Sequence, residues 1–189
     1  MIISLNKINP NIFVFFSFIA LFIVQDFFYK ILQNSSLPLA ASLFYLPHGL
    51  RVLAALISGT KILIGLFLAH FLTGLYIHFF NNLETFGSNL KTIFLIFITS
   101  LISTFCVLIA IKILKFFKND LSLISLKTIL IVSMLSALIN SFFVNLIYFL
   151  MIENWNINVQ IIHYFFGDIM GAVILFYIIK NFYKNVKFL

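Results

Sequence analysis

Charge is what this sequence has least of. Aspartate, glutamate, lysine and arginine make up 9% of its 189 residues, 63% are hydrophobic, and the mean hydropathy is +1.16. An ordinary soluble domain is roughly half apolar and about a quarter charged. A soluble fold of this length has no interior large enough to hide so much apolar side chain, so the composition excludes a water-soluble globular domain and makes the lipid bilayer the expected solvent. Cysteine is nearly absent as well. A single Cys106 rules out an intramolecular disulfide, and its place inside an apolar run marks it as a packing residue rather than a reactive thiol. Basic residues outnumber acidic ones, 12 to 5, yet they stand at the ends of apolar runs and gather in no patch, which argues against nucleic acid as a partner. The chain also lacks a nucleotide-binding glycine loop, a His-Glu-x-x-His spacing, an internal repeat and a long linker. No metal or other cofactor is expected.

What is present is a succession of apolar runs, rich in phenylalanine, which lipid-facing positions accept as readily as any large apolar residue. About 20 apolar residues carry a helix across the hydrocarbon core, and six segments meet that length: Ile12–Leu32, Leu37–Ile57, Ile62–Phe80, Leu90–Leu114, Leu121–Ile152 and Val159–Phe182. The runs are continuous rather than alternating, which disfavours a β-barrel. The first run is too long for a signal-peptide core and no small-x-small cleavage site follows it, so it is expected to remain as a span. Placing the N-terminus in the cytoplasm collects Lys7, Lys61, Lys112, Lys115, Lys118, Lys127, Lys180, Lys184 and Lys187 on that side and leaves Lys30 and Lys91 opposite, with Glu84 and Glu153. This is the positive-inside pattern. The expected fold is all-α: a single polytopic transmembrane bundle of about six spans over residues 1–189, with both termini cytoplasmic.

The few ionisable residues inside spans are costly in lipid and belong in a bundle interior. They are Asp26, His48, Arg51, His70, His163 and Asp168, joined by Asn140 and Asn145. Counted along the expected spans at about 1.5 Å per residue, they share the central-to-outer slab of the membrane. Arg51 is expected to pair with Asp168, or failing that with Asp26, through the planar fork that suits a carboxylate. His48 and Arg51 are three residues apart and can point the same way. Pro47 is expected to kink or break the second span, with Gly49 adding flexibility. Gly167 and Gly171 have the spacing for close helix approach on either side of Asp168. The pair has two readings, a ligand or proton site or a structural pair fixing helix register.

Two stretches carry a resemblance. "FYLPHGLRVLAALISGTKILIGLFLA" resembles the early signature of the first type of membrane-associated sensor (MASE) domain, matched at Pro47, Gly49, Gly59, Lys61 and Gly65. "FFGDIMGAVIL" is similar to the later Gly-Asp-x-x-Gly element of that family, matched at Gly167, Asp168 and Gly171. The family usually has Trp-Pro where this chain has Leu63-Ile64, and its members have about eight spans. Such domains precede bacterial histidine kinases and diguanylate cyclases. The resemblance therefore implies a sensor region of a bacterial inner membrane, here free-standing because no kinase or cyclase sequence follows, and in need of a signalling partner. A related region in the regulator of hexose-phosphate uptake extends the implied ligands to small anions.

The expected function is a non-enzymatic membrane sensor or ligand-binding module, with His48, Arg51, His70, Asn140, His163, Asp168 and Asp26 as its candidate ligand-binding residues. The alternative is a small-molecule transporter, or a substrate-binding subunit of one, acting with a transport partner or as a homo-oligomer. An intramembrane aspartyl protease is disfavoured, because Phe165 stands where its Gly-x-Gly-Asp motif needs glycine.

Overall fold

The computed structural model describes residues 9–33, 44–80, 89–115, 125–153 and 155–186. Every regular element among them is helical: α1 (Pro10–Gln33), α2 (Leu46–Ser58), a 3₁₀ turn (Gly59–Ile62), α3 (Leu63–Phe80), α4 (Asn89–Leu114), α5 (Leu126–Met151) and α6 (Ile157–Val186). Among the described residues five helical stretches are long and apolar enough to cross a membrane, the second being the continuous run Leu46–Phe79. Phe13, Phe16, Phe27, Phe94, Phe142 and Leu150 are among the many large apolar side chains exposed on the outside of the bundle. An all-helical bundle clad in this way is consistent with a multi-pass membrane protein. Lys7, Glu84, Lys118, Lys187 and residues 37–43 of the second expected segment lie outside the described residues, as does the side chain of Lys184.

Side-chain bonds fix the direction of each helix. Gly65 N donates to Asn11 Oδ1 near the start of α1, while Tyr76 Oη donates to Asp26 farther along it, so α3 runs parallel to α1. Leu46 N donates to Gln25 Oε1, so α2 starts at the far end of α1 and runs back. The run Leu46–Phe79 therefore reverses at the 3₁₀ turn, where Gly59 adopts φ 56, a left-handed conformation that glycine enters without a Cβ penalty. Asn140 of α5 bonds Ser103 of α4 and Asp168 of α6, while Tyr148 farther along α5 bonds the earlier Thr99 and Tyr164, so α4, α5 and α6 are successively antiparallel. One end of the bundle thus gathers Lys61, Lys112, Lys115, Lys127 and Lys180, and the other holds Lys30 and Lys91.

Helix α2 organises the interior. It has 13 residues, about 20 Å at 1.5 Å per residue, short of the roughly 30 Å hydrocarbon thickness. Pro47 through Leu56 are buried apart from half-buried Leu50. Of the kink or break expected at Pro47, α2 shows no kink: Pro47 lies in its first turn, where a missing N–H leaves no hydrogen bond unmade, so it begins the helix. A helix that starts inside a bundle exposes orphan N–H groups, and two neighbours take them up. Tyr45 N donates to Gly167 O of α6 at 2.8 Å and Leu46 N to Gln25 of α1 at 3.1 Å.

Glycine lets α2 and α6 touch. A Cβ on Gly49 would lie 2.9 Å from Ala172 Cα, and one on Gly171 would fall on the Tyr45 carbonyl. Gly49 accordingly serves close packing rather than the flexibility expected of it. At the lysine end, Val14, Phe18, Val52, Ala55, Leu56, Ile62, Leu66, Val107, Ile111 and Val132 form a dry apolar core. Gly171→Val should unseat the start of α2 and lower stability by about 1–3 kcal/mol, the usual cost of overpacking. Thermal unfolding in detergent reads this, and an unchanged melting temperature would contradict the close approach.

Candidate functional site

Where the apolar core ends, Arg51 begins a polar network. Its guanidinium is fully buried, with 0% exposure. Nη1 donates to Ser103 O of α4 at 2.9 Å, and Nη2 donates to His48 Nδ1 at 2.6 Å and to Asp168 Oδ1 of α6 at 3.4 Å. The Tyr45 ring lies 5.6 Å from Arg51 Cζ, within cation–π range. The pairing expected with Asp168 is present, through one long contact rather than a bidentate fork. Asp168 Oδ2 accepts a shorter bond, 2.8 Å, from Asn140 Nδ2 of α5, whose Oδ1 accepts from Ser103 Oγ at 2.8 Å. One carboxylate thereby links α2, α4, α5 and α6.

The His48 ring has a determinable role. Nδ1 lies 2.6 Å from Arg51 Nη2 and 3.3 Å from Asp168 Oδ2. A proton on Nδ1 would suit the carboxylate and oppose the guanidinium. Arginine can only donate and the guanidinium contact is the shorter, so Nδ1 is the acceptor and the ring proton belongs on Nε2. From there it is donated to Ser136 Oγ at 3.1 Å, whose own proton goes to Ser133 O at 3.1 Å. The relay runs from Arg51, which can only donate, to the Ser133 carbonyl, which can only accept.

Beside the carboxylate lies a cavity of about 250 Å³. Its wall includes Asp168 and Asn140, His70 and Thr73 of α3, Thr99, Ser100 and Ser103 of α4, Tyr164 and Gly167 of α6, and Tyr45; Gln25, His78, Gln160 and His163 extend it toward the end of the bundle away from the lysines. Of the residues expected to bind ligand, Asp168, Asn140, His70 and His163 line this space. His48 and Arg51 stand behind Asp168 rather than on the wall. Asp26 does not join the network: its Oδ2 accepts from Lys30 Nζ at 2.7 Å and from Tyr76 Oη at 3.3 Å. Lys30 lies one helical turn after Asp26, a local partner that outcompetes a distant arginine. Asn145 is spent on Ser141 O and the Trp155 indole, outside the cavity. Cys106 packs with 1% exposure and directs its thiol at Ser103 O.

The wall residues that sequence reasoning passed over are Gln25, Tyr45, Thr73, Thr99, Ser100, Ser103, Gln160 and Tyr164. Part of this was recoverable, since Thr99 and Ser103 share a helix face, as do His70 and Thr73. Among the described residues, no three His, Cys, Asp or Glu side chains converge as a metal site requires. No protein-family model, curated protein or solved structure matches this chain.

Removing the guanidinium leaves a buried carboxylate without its counter-charge, beside only Asn140 and His48. Arg51→Met should cost about 3–5 kcal/mol, the usual consequence of breaking a buried pair, and Asp168→Asn should restore part of that loss in the double variant. Unfolding free energies in mixed micelles measure the cycle. A strictly additive double variant would show that the two groups do not interact.

Proposed function

We propose that this chain is a sensory, ligand-binding module of the bacterial cytoplasmic membrane, similar to the first type of membrane-associated sensor domain, and that it signals through a partner protein. In this reading the chain crosses the bilayer six times, the lysine end faces the cytoplasm, and the cavity opens toward the opposite side. The observation that carries the reading is the cavity itself: a largely apolar space of about 250 Å³, set with hydroxyl, amide and imidazole groups and ending on Asp168, whose bonding partners lie on different helices. Nothing in a purely structural ion pair calls for such a space beside it.

The geometry supplies a route for a signal. A ligand that engages Asp168 competes with Asn140 and Arg51 for the same oxygens, so it binds differently to states that differ in how α2 is held. Differential affinity of that kind is what a ligand needs to shift a conformational equilibrium. Helix α2 meets the lysine end through the Gly59 turn, so displacement at Arg51 is delivered to Lys61 and to α3. A second reading, a transporter or its substrate-binding subunit, is favoured by the start of α2 inside the bundle, a recurrent feature of transport sites. Solute uptake by proteoliposomes separates the two.

The test is thermal unfolding of the nanodisc-reconstituted chain against a library of small polar solutes. A solute that binds at 100 times its Kd stabilises by about 2.7 kcal/mol, and Ser100→Leu, which fills the cavity from α4, should abolish the gain. A library in which no solute stabilises the protein, or a gain that survives Ser100→Leu, would contradict the proposed site.

A further inference from the structure

We infer that the cavity takes an uncharged, hydroxyl-rich solute the size of a small polyol or monosaccharide, an inference that rests on reading this cavity as the sensing site. Its charge balance comes first. Among the described residues no lysine or arginine lines the space. The guanidinium of Arg51 is turned to Ser103 O, His48 and the rear of Asp168, so an anion would meet the carboxylate with no permanent counter-charge, only the imidazoles of His70, His78 and His163. A cation fares little better. Arg51 and Asp168 already cancel, and a third charge would be buried without compensation, which costs more than the hydrogen bonds it gains.

Hydrogen-bonding capacity narrows the class further. Thr73 Oγ1 donates its single proton to the Ala69 or His70 carbonyl at 2.9 and 3.0 Å, Thr99 Oγ1 donates to Leu95 O at 2.9 Å, and Ser103 Oγ donates to Asn140 at 2.8 Å. Their protons are committed within the protein, and what they can still offer a ligand is lone pairs. Asp168 offers only lone pairs as well. His70 Nε2, on the same wall, is buried with no hydrogen-bond partner among the described residues. The side-chain amides of Gln25, Asn140 and Gln160 bring N–H donors to the same space. A wall rich in acceptors with a few donors matches groups that donate and accept together, as hydroxyls do. The rings of Tyr45 and Tyr164, with Ile77 and Ile96, supply the flat and apolar surface against which the C–H face of a ring polyol packs. About 250 Å³ is space for roughly eight waters at their liquid share of about 30 Å³ each, which a six-membered polyol would displace.

The experiment is equilibrium dialysis of the full chain in lipid nanodiscs against radiolabelled myo-inositol, glucose, choline and inorganic phosphate. The expected result is saturable binding of at least one of the two polyols at one per chain, with none for choline or phosphate. That binding is lost in Ser100→Leu and weakened about fivefold in Thr73→Val, the effect of one neutral hydrogen bond. Saturable binding of choline or phosphate alone, removed by Ser100→Leu, would overturn the ligand class and leave the site standing. Polyol binding that persists in Ser100→Leu would place the ligand elsewhere and overturn the site with it. Failure of both polyols to bind would overturn the ligand class.

Discussion

A fully buried guanidinium is the constraint from which the interior of this protein follows. Arg51 cannot lose its charge and cannot accept a hydrogen bond, so the groups that bond it must be acceptors; α2 itself, α4 and α6 supply them to its terminal nitrogens, while Nε has no hydrogen-bond partner among the described residues. Ser103 gives a backbone carbonyl, His48 a ring nitrogen and Asp168 a carboxylate oxygen. Each of those choices constrains the next. His48 must carry its proton on Nε2, which directs Ser136 toward Ser133, and Asp168 must share its second oxygen with Asn140, which directs Ser103. A charge that lipid would not tolerate thus becomes the junction of four helices.

The network also divides the bundle. On the lysine side of Arg51 the interior is apolar and tightly packed, from Val52 and Leu56 to Ile62 and Ile111. On the other side polar groups are interspersed with apolar ones, and there the cavity lies. Short α2 separates the two, held at its first turn by Gln25 and Gly167 and pressed onto α6 through Gly49. Backbone N–H groups freed at the start of such a helix would be costly in hydrocarbon. Here protein acceptors take them up next to the space proposed for the ligand, so the device that lets α2 begin inside the bundle also shapes the wall of the cavity.

How much of this the sequence discloses depends on how local the cause is. The helical class and the lysine asymmetry are legible because composition and the ends of apolar runs carry them directly. The Arg51–Asp168 pair is legible because scarcity leaves few partners. Three features are not. The role of Pro47 turns on where its helix begins, and a continuous apolar run hides that boundary. The place of Asp26 is set by Lys30, four residues on, a nearer partner than any interior group. Gln25, Tyr45 and Gln160 join the cavity only because the start of α2 docks between α1 and α6, a tertiary fact with no sequence spacing of its own. The resemblance to sensor domains adds a function to this picture and remains part of the proposal, carried by Pro47, Gly49, Gly167, Asp168 and Gly171.

The central claim, that Arg51 dictates the hydrogen bonding of its surroundings, is tested most directly by nitrogen-15 solid-state NMR of histidine in the lipid-reconstituted chain. His48 is expected as the Nε2–H tautomer, with Nδ1 unprotonated and coupled through a hydrogen bond to the Arg51 guanidinium. A proton found on Nδ1, directed at Asp168, would contradict it.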